Sequence, residues 1–320
     1  MKAIHYFENG GPEVMHYGEL PDPVLEDDGV LIAVEWISIE GGDLLNRLVT
    51  PPAHTPFVPG YQAAGKVLAV GPRVTRVAVG ESVVGFNWCG SHADLFAVPE
   101  HFAYPIPEGM DVKQAAALPI AFGTAYDALF TYGDLREGET VLVQGGAGGV
   151  GLAAIQLAAQ AGAKVIATAS DAARLERLVP YGLDHGIAYR SESIAERVDA
   201  LTGGEGVDIV VDMAGGKGVD ALMASLRRHG RYMVVGAATG EVPQFGFFDV
   251  INKALAIKGV TFGREMHTPR AHALLAEIFA RAAKGELAMP IDREFALSEG
   301  VAAHTHVANA HPFGRVMMHP

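Results

Sequence analysis

Cysteine is almost absent from this chain of 320 residues, which contains only Cys89. A single cysteine cannot form a disulfide within the chain, and it cannot supply the cysteine ligands of a structural zinc site. Long hydrophobic runs are also missing, because no stretch of about 20 residues is apolar enough to span a membrane without glycine or charge. The opening residues, MKAIHYFENGG, lack the apolar core of a signal peptide. We therefore expect a cytoplasmic protein with no membrane partner.

Basic residues are scarce relative to acidic ones. Lysine and arginine total 24 against 37 aspartates and glutamates, which gives a formal net charge of −13. Binding to a nucleic-acid backbone needs clustered positive charge, so this balance argues against a nucleic-acid partner. The hydrophobic fraction of 49% is enough for a sizeable core, and the length predicts two domains.

Glycine, by contrast, is abundant and concentrated in one stretch, TVLVQGGAGGVGLAAIQLAAQAG at residues 140–162. A short β-branched strand precedes the glycines and an alanine-rich helix follows them. Gly146, Gly148 and Gly151 fit the pattern G-x-G-x-x-G of dinucleotide-binding units. We assign the tight turn to Gly146, close approach to a pyrophosphate to Gly148, and close packing of helix on sheet to Gly151. The helix N-terminus would then face the phosphates.

Strands and helices alternate from residue 140 to about residue 259. Strands are predicted at 164–169, 187–189, 208–212, 231–236 and 255–260, with helices near 150–161, 171–179, 191–202 and 218–228. Such alternation is typical of a doubly wound parallel sheet. Residues before 111 are rich in turns and short strands. After a helix at 269–284, short strands at 293–296 and 315–318 cannot extend the parallel sheet, so we expect the C-terminus to return to the first domain.

Five stretches resemble, in order, the zinc-independent quinone oxidoreductase (zeta-crystallin-like) family of the medium-chain dehydrogenase/reductase superfamily. They are PGYQAAGKV at 59–67, AAALPIAFGTAYDAL at 115–129, VLVQGGAGGVG at 141–151, GEGVDIVVDMAGG at 204–216 and HPFGRVMM at 311–318. The resemblance implies an α/β fold: a GroES-like β-rich catalytic domain (1–122 and 260–320) plus a Rossmann doubly wound parallel sheet (123–259). It also implies a homodimer, which the strand near 255–262 would join by pairing with its copy.

The zinc-ligand positions of related alcohol dehydrogenases carry Glu40, Tyr61 and Gln62 in this chain. Glu40 alone cannot hold a catalytic zinc, which needs about three protein ligands, so we expect no metal. His304 and His306 in the C-terminal segment are interpreted as surface residues. Within the quinone oxidoreductases, Glu40 stands where asparagine is common and Leu45 where some members have tyrosine.

The second strand of the nucleotide-binding unit ends without the acidic residue that NAD enzymes use to bind the ribose 2′-hydroxyl. Asp171 comes one position late and is predicted to cap the next helix. A neutral strand end followed by Arg174 suits a 2′-phosphate, which predicts NADPH. The resemblance adds Ser170 and Tyr189 to the phosphate site, whereas ordinary surface or packing roles remain the alternative for Arg174 and Tyr189.

Without a metal, hydride transfer needs an electron-poor acceptor, such as a quinone or an α,β-unsaturated carbonyl. Tyr61 would donate a hydrogen bond to the carbonyl and Glu40 would relay protons, although structural roles remain open for both. The remaining candidate site residues rest on the resemblance. They are Asp43 and Arg47 for catalysis, and Thr124, Ala147, Gly149, Val150, Gly236, Ala238 and Arg315 for the cofactor. Two alternatives stay open: a non-catalytic, crystallin-like NADPH-binding protein, and an alcohol or aldehyde dehydrogenase.

Overall fold

The computed structural model describes residues 1–320, which divide into two compact units. The first unit comprises Met1–Ile120 with Gly263–Pro320, and the second comprises Ala121–Phe262. The elements of the first unit up to residue 120 are β1 (Lys2–His5), β2 (His16–Glu19), β3 (Gly29–Ser38), α1 (Gly41–Val49), β4 (Gln62–Val70), β5 (Ser82–Phe86), β6 (Leu95–Pro99), β7 (Ala103–Pro105) and α2 (Val112–Ala117). A further helix, α3 (Pro119–Tyr126), crosses into the second unit.

The second unit is built on six parallel strands in the order β10-β9-β8-β11-β12-β13. Its elements are β8 (Thr140–Gln144), α4 (Gly149–Gln160), β9 (Lys164–Ala169), α5 (Ala172–Glu176), β10 (His185–Ala188), α6 (Ile194–Thr202), β11 (Val207–Asp212), α7 (Val219–Ser225), β12 (Leu226–Val234), α8 (Phe247–Lys253) and β13 (Ala256–Gly259). Numbered within the unit, this order is 3-2-1-4-5-6, the doubly wound order of dinucleotide-binding sheets. The predicted Rossmann sheet is confirmed.

Strand β8 and helix α4 form because their sequences are almost wholly apolar. Leu142 on β8, Ile166 on β9 and Val210 on β11 are fully buried in one hydrophobic cluster. Strands covered on both faces read as continuous apolar runs, as these do. Because the strands are parallel, the C-terminal ends of β8, β9 and β12 bring the glycine turn, Ser170 and Gly236 to one edge of the sheet.

The sheet of the first unit has seven strands, of which β3 is the most connected. Strand β3 pairs antiparallel with β4, β6 and β15, and the chain of pairs continues through β4 to β5 and β7. After residue 262 the elements are α9 (Pro269–Ala283), β14 (Ile291–Ala296), α10 (Gly300–Ala310) and β15 (Arg315–His319). Because β15 pairs with β3, the predicted return of the C-terminus to this unit is confirmed.

Two helices were not predicted from the sequence, α8 and α10. Helix α10 reads GVAAHTHVANA, in which histidines and β-branched residues hide any regular apolar stripe. Helix α8 follows the glycine- and proline-containing segment 236–246, which reads as loop. No helix in the molecule combines the length and the apolar character that a membrane crossing requires.

Candidate active site and cofactor site

In the glycine turn between β8 and α4, Gly145 and Gly146 have roles that differ from the prediction. Gly145, with φ of 79°, is the residue that makes the left-handed turn. A Cβ on Gly146 would lie 2.9 Å from the Cβ of Ala167, so this glycine serves packing. The assignment of the tight turn to Gly146 was wrong, because backbone conformation cannot be read from the order of adjacent glycines. Ala147 lies buried within the turn.

Gly151 packs closely, as predicted, whereas contact of Gly148 with a pyrophosphate stays a prediction. A Cβ on Gly151 would approach the carbonyl oxygen of Gly145 to 2.4 Å, so the first turn of α4 packs directly on the glycine turn. A Cβ on Gly148 would meet nothing closer than 3.7 Å, so the space beside it is open to a ligand. Gly149 and Val150 begin α4, whose first-turn amides have no acceptor within the helix. This open cradle at a helix N-terminus fits a pyrophosphate.

Thr168 anchors the glycine turn, and the sequence analysis missed it. Its hydroxyl accepts a hydrogen bond from the Gly145 amide (3.1 Å) and donates one to Oε1 of Gln144 (2.5 Å). Its carbonyl accepts from the Gly146 amide at 2.9 Å. Thr168 is fully buried on β9, so a polar residue in an apolar strand was the available signal.

The residues predicted to hold the 2′-phosphate meet where β9 and β10 end. Asp171 caps α5, accepting from the Arg174 amide at 3.0 Å, as predicted. Its carboxylate also accepts from the Ser170 hydroxyl (2.7 Å), and this bond is the main reason that the pKa of Asp171 lies below its ordinary value. Tyr189 is half exposed, and its amide donates to the Ala169 carbonyl at 3.1 Å.

Arg190 is a second cation at this strand end, which the sequence analysis did not single out. Arg174 and Arg190 both lower the pKa of Asp171, and the nearer contact is 3.9 Å between Nε of Arg174 and Asp171. Two guanidinium groups against one carboxylate leave the group with a net positive charge. Such a group suits a phosphate better than a neutral hydroxyl.

Asp212 organises the loop at the end of β11. Its carboxylate accepts from the amides of Ala214 (2.8 Å) and Gly215 (3.0 Å) and from the hydroxyl of Tyr232 (2.6 Å). The neighbouring predicted residues are tied to the same strand end: the Gly236 amide donates to the Asp212 carbonyl, and the Ala238 amide to the Met213 carbonyl. Thr124 is buried on α3. Contact of these residues with a nicotinamide stays a prediction.

In the first unit, the vacated zinc-ligand positions are filled by an ion pair and an amide. Glu40 is buried and pairs with the guanidinium of Arg315 at 2.5 Å. Its carboxylate also accepts from the Ser38 hydroxyl (2.9 Å) and from the Gln62 side chain (2.8 Å). Burial raises the pKa of Glu40, and Arg315 opposes that shift. A zinc ion does not fit this donor set, because the carboxylate is already occupied and its neighbours offer a phenol and an amide. Nowhere in the chain do three His, Cys, Asp or Glu side chains converge as metal ligands would.

Asp43 lies in the first turn of α1, three residues after Glu40. Its Oδ2 accepts from the Glu40 amide at 2.8 Å, whereas Oδ1 is buried without a hydrogen-bond partner. Burial raises the pKa of Asp43 well above its ordinary value, so the neutral carboxylic acid is favoured. Asp43 and Glu40 therefore form a buried acidic pair at the start of α1. Their catalytic roles stay predictions, as does the contact of Arg315 with the cofactor.

Tyr61 lies against the same helix. The side-chain amide of Asn46 donates to its hydroxyl at 2.5 Å. The Tyr61 ring lies tilted against Phe86 and edge-on to Trp88, at centroid distances of 6.3 and 6.1 Å. Burial is the main cause that raises the pKa of Tyr61 above its ordinary value of about 10. The hydroxyl is therefore protonated throughout the neutral range and can donate a hydrogen bond.

Arg47 and His304 form a buried chain that the sequence did not reveal. His304 is 0% exposed, so its interpretation as a surface residue was wrong. Its Nδ1 lies 2.5 Å from Nη1 of Arg47, and its Nε2 lies 2.9 Å from Nε2 of His92. Nε of Arg47 also donates to the Gly10 carbonyl at 3.2 Å. Since a guanidinium only donates, His304 accepts at Nδ1 and carries its proton on Nε2.

The interpretation of His306 has a different outcome. His306 is partly exposed, and its Nε2 lies 2.8 Å from a carboxylate oxygen of Asp292. Both histidines occupy α10, which the sequence did not predict as a helix. Without a helix there, the sequence could not show that residues 304 and 306 face different ways.

The family model described as zinc-binding dehydrogenase matches residues 149–277, and the one described as alcohol dehydrogenase GroES-like domain matches residues 26–108. The quinone oxidoreductase of Homo sapiens is 32% identical over 267 residues, which are 82% of this chain and 80% of that protein. The chain belongs to the quinone oxidoreductase family of the medium-chain dehydrogenase/reductase superfamily.

Two solved structures are similar along their whole length. The mycobacterial protein Rv1454c complexed with NADPH has a TM-score of 0.94 at 30% identity, with 100% of each chain covered. The Escherichia coli quinone oxidoreductase complexed with NADPH has a TM-score of 0.95 at 26% identity, again with 100% of each chain covered.

Longer relatives are also similar. The phthioceranic/hydroxyphthioceranic acid synthase of Mycobacterium tuberculosis (strain ATCC 25618 / H37Rv) is 33% identical over 90% of this chain. That match covers 14% of the synthase, and the polyketide synthase relatives are matched over 10–14% of their own length.

Proposed function

We propose that this protein is an NADPH-dependent, zinc-independent oxidoreductase whose acceptor is a quinone or an α,β-unsaturated carbonyl. The observation that carries the proposal is Tyr61, a protonated phenol that stands where related alcohol dehydrogenases have a zinc ligand. A phenol in that position can donate to a carbonyl oxygen, whereas it cannot replace a metal ion that activates an alkoxide. Quinone oxidoreductases among the relatives support the same class of acceptor.

NADPH would be held by the edge of the parallel sheet. The open space at Gly148 and the first turn of α4 suit the pyrophosphate, and Ser170, Arg174, Tyr189 and Arg190 suit the 2′-phosphate. Both compared structures are complexes with NADPH, which supports this choice over NADH. When bound, NADPH supplies the hydride that the acceptor receives.

The chain's own contribution would be to stabilise the negative charge that develops on the acceptor oxygen. Tyr61 donates a hydrogen bond to that oxygen, in a site where burial keeps the phenol neutral. A quinone or enone needs no Lewis acid, because its conjugated system already accepts charge. Asp43, whose neutral form is favoured by burial, is a candidate to pass on a proton.

A non-catalytic NADPH-binding protein is the principal alternative, and an alcohol or aldehyde dehydrogenase is a weaker one. The first predicts tight NADPH binding without turnover of any acceptor. The second predicts activity that depends on bound zinc, for which the ion-paired Glu40 provides no free ligand.

Substitution of Tyr61 by phenylalanine tests the proposal. We expect kcat/KM for the best carbonyl acceptor to fall about 10–100-fold, because one hydrogen-bond donor to developing charge is lost. The affinity for NADPH, measured by fluorescence titration, should not change. A Phe variant with unaltered kinetics would remove Tyr61 from the reaction.

A further inference from the structure

Helix α1 grips the ring of Tyr61 through a glycine in its first turn. A Cβ on Gly42 would come within 2.4 Å of Cε2 of Tyr61 and 2.8 Å of its hydroxyl oxygen. A Cβ on Gly41, the preceding residue, would meet nothing within 4 Å. The ring position therefore leaves no space for a side chain at residue 42, whereas a side chain at residue 41 would not touch it.

Asn46 lies one turn further along α1, on the same face as Gly42. Its Nδ2 donates to the hydroxyl oxygen of Tyr61 at 2.5 Å, and its Oδ1 accepts from the hydroxyl of Thr50 at 3.2 Å. Because Oδ1 is used by Thr50, the amide presents a hydrogen to Tyr61 rather than a lone pair. A phenol that accepts from Asn46 keeps its own hydrogen for another acceptor.

Phe86 and Trp88 also contact the Tyr61 ring, at centroid distances of 6.3 and 6.1 Å. The Trp88 ring stands at 80° to the Tyr61 ring, and Phe86 and Trp88 contact each other at 5.3 Å. The ring thus contacts α1 at Gly42 and two aromatic neighbours, while its hydroxyl hydrogen can still rotate about the C–O bond. Asn46 is the group that touches the hydroxyl and can select that rotation.

We propose that Asn46 is a positioning residue. It takes no part in the chemical steps, but its hydrogen bond directs the phenolic hydrogen of Tyr61 toward the carbonyl oxygen of the substrate. This inference rests on the proposed function, because it needs Tyr61 to be the donor. In this proposal, the hydrogen-bonded pair of Asn46 and Tyr61 binds the carbonyl oxygen of the substrate.

The deciding experiment is a double-mutant cycle with Asn46→Asp and Tyr61→Phe. Aspartate has nearly the shape of asparagine but only accepts hydrogen bonds, so Tyr61 would donate to it and lose its hydrogen for the substrate. We expect Asn46→Asp to lower kcat/KM about as much as Tyr61→Phe, roughly 10–100-fold. We expect the double variant to be no slower than Tyr61→Phe, and NADPH affinity to be unchanged in all three.

The glycine pair provides a matched control that does not change charge near Glu40 and Asp43. Gly42→Ala should displace Tyr61 and lower kcat/KM, whereas Gly41→Ala should leave it unchanged, although both place alanine in the same helical turn. If Asn46→Asp fails to fold, Asn46→Ala takes its place in the cycle: it removes the donor to Tyr61, so it should lower kcat/KM in the natural chain but not further in Tyr61→Phe.

The outcomes distinguish failure of Tyr61 as the donor from failure of Asn46 as the positioning residue. If Tyr61→Phe has normal kinetics, the proposed donor is wrong and the inference falls with it. If Tyr61→Phe is impaired but Asn46→Asp is normal, or if the two losses multiply in the double variant, the donor stands and the positioning role of Asn46 is overturned. Equal activity of the Gly41→Ala and Gly42→Ala variants would also contradict the grip on Tyr61.

Discussion

Arg174 is the residue whose charge we expect to distinguish NADPH from NADH most directly. Its side chain is 22% exposed beside Asp171, and Arg190 adds a second positive charge. Arg174→Ala should weaken NADPH binding about 10–100-fold and affect NADH little, because a hydrogen bond to a charged group is worth about 1.5–3 kcal/mol. Titration of both cofactors measures the change.

Arg177→Ala is the matched control for that substitution, since Arg177 is exposed at the end of the same helix, α5. It should leave the ratio of the two affinities near its original value. Equal binding of NADPH and NADH by the unaltered protein would contradict the assignment of this strand end to a 2′-phosphate.

Residue by residue, the sequence predicted best where a motif has a single geometric purpose. The open space at Gly148 and the packing of Gly151 follow from spacing alone. The sequence could not separate Gly145 from Gly146, nor show that Asn46 meets Tyr61, because their partners lie elsewhere in space. Thr168 and Asp212 were missed for the same reason, since a polar residue ending a strand has many possible partners.

Helix α10 is tied to helix α1 by the buried chain that runs from Arg47 through His304 to His92. Burial and Arg47 lower the pKa of His92 to about 3, and burial lowers the pKa of His304 well below its ordinary value. Both imidazoles are therefore neutral in the folded protein at pH values where the unfolded chain, with pKa near 6.5, takes up protons.

This difference predicts how stability depends on pH. Above about pH 6.5 both states carry neutral histidines, and the free energy of unfolding does not depend on their titration. It decreases as the pH falls from about 6.5 toward about 3, because the unfolded state then binds more protons than the folded state. Each histidine contributes a slope of up to about 1.4 kcal/mol per pH unit. Denaturant unfolding between pH 7 and pH 5 should show this slope in the natural chain.

A variant with both His92→Asn and His304→Asn should show a flatter dependence than the natural chain over the same range. Glu40 and Asp43, whose pKa values are raised, act in the opposite sense but do so in both proteins. The comparison therefore isolates the histidines. Identical slopes would mean that the two imidazoles have the same pKa in the folded and unfolded states, which would contradict this prediction.

At the level of elements, period and composition predicted the parallel sheet and the return of the C-terminal strands to the first unit. Those elements have continuous apolar or alternating patterns that stand on their own. Helix α10 does not, since its inward residues include His304, whose burial depends on Arg47 some 257 positions earlier in the chain. A partner so distant in sequence leaves no local signal.

At the scale of the whole molecule, strand β13 ends the parallel sheet and pairs with β12 alone. The segment before it exposes Val242, Phe247, Phe248 and Ile251, with exposed fractions of 57% to 80%. An open strand edge beside apolar side chains tends to be covered, and pairing with a second copy about a two-fold axis covers both edges at once. We predict a homodimer joined through this edge.

Sedimentation at micromolar concentration measures the assembly. The natural chain should sediment as a dimer, and a variant carrying Phe247→Asp and Phe248→Asp should shift toward monomer. Val24→Asp, at a residue 77% exposed in the other unit, is the control and should remain dimeric. A monomeric natural chain would be incompatible with the predicted pairing.

The most direct test of the central claim is the consumption of NADPH by metal-depleted protein, followed at 340 nm with a panel of quinones and enones. After prolonged chelation, with zinc verified at well under one atom per chain, we expect undiminished turnover with NADPH on at least one acceptor and far slower turnover with NADH. Activity that disappears on chelation and returns with stoichiometric zinc, or tight NADPH binding without turnover of any acceptor, would contradict the account.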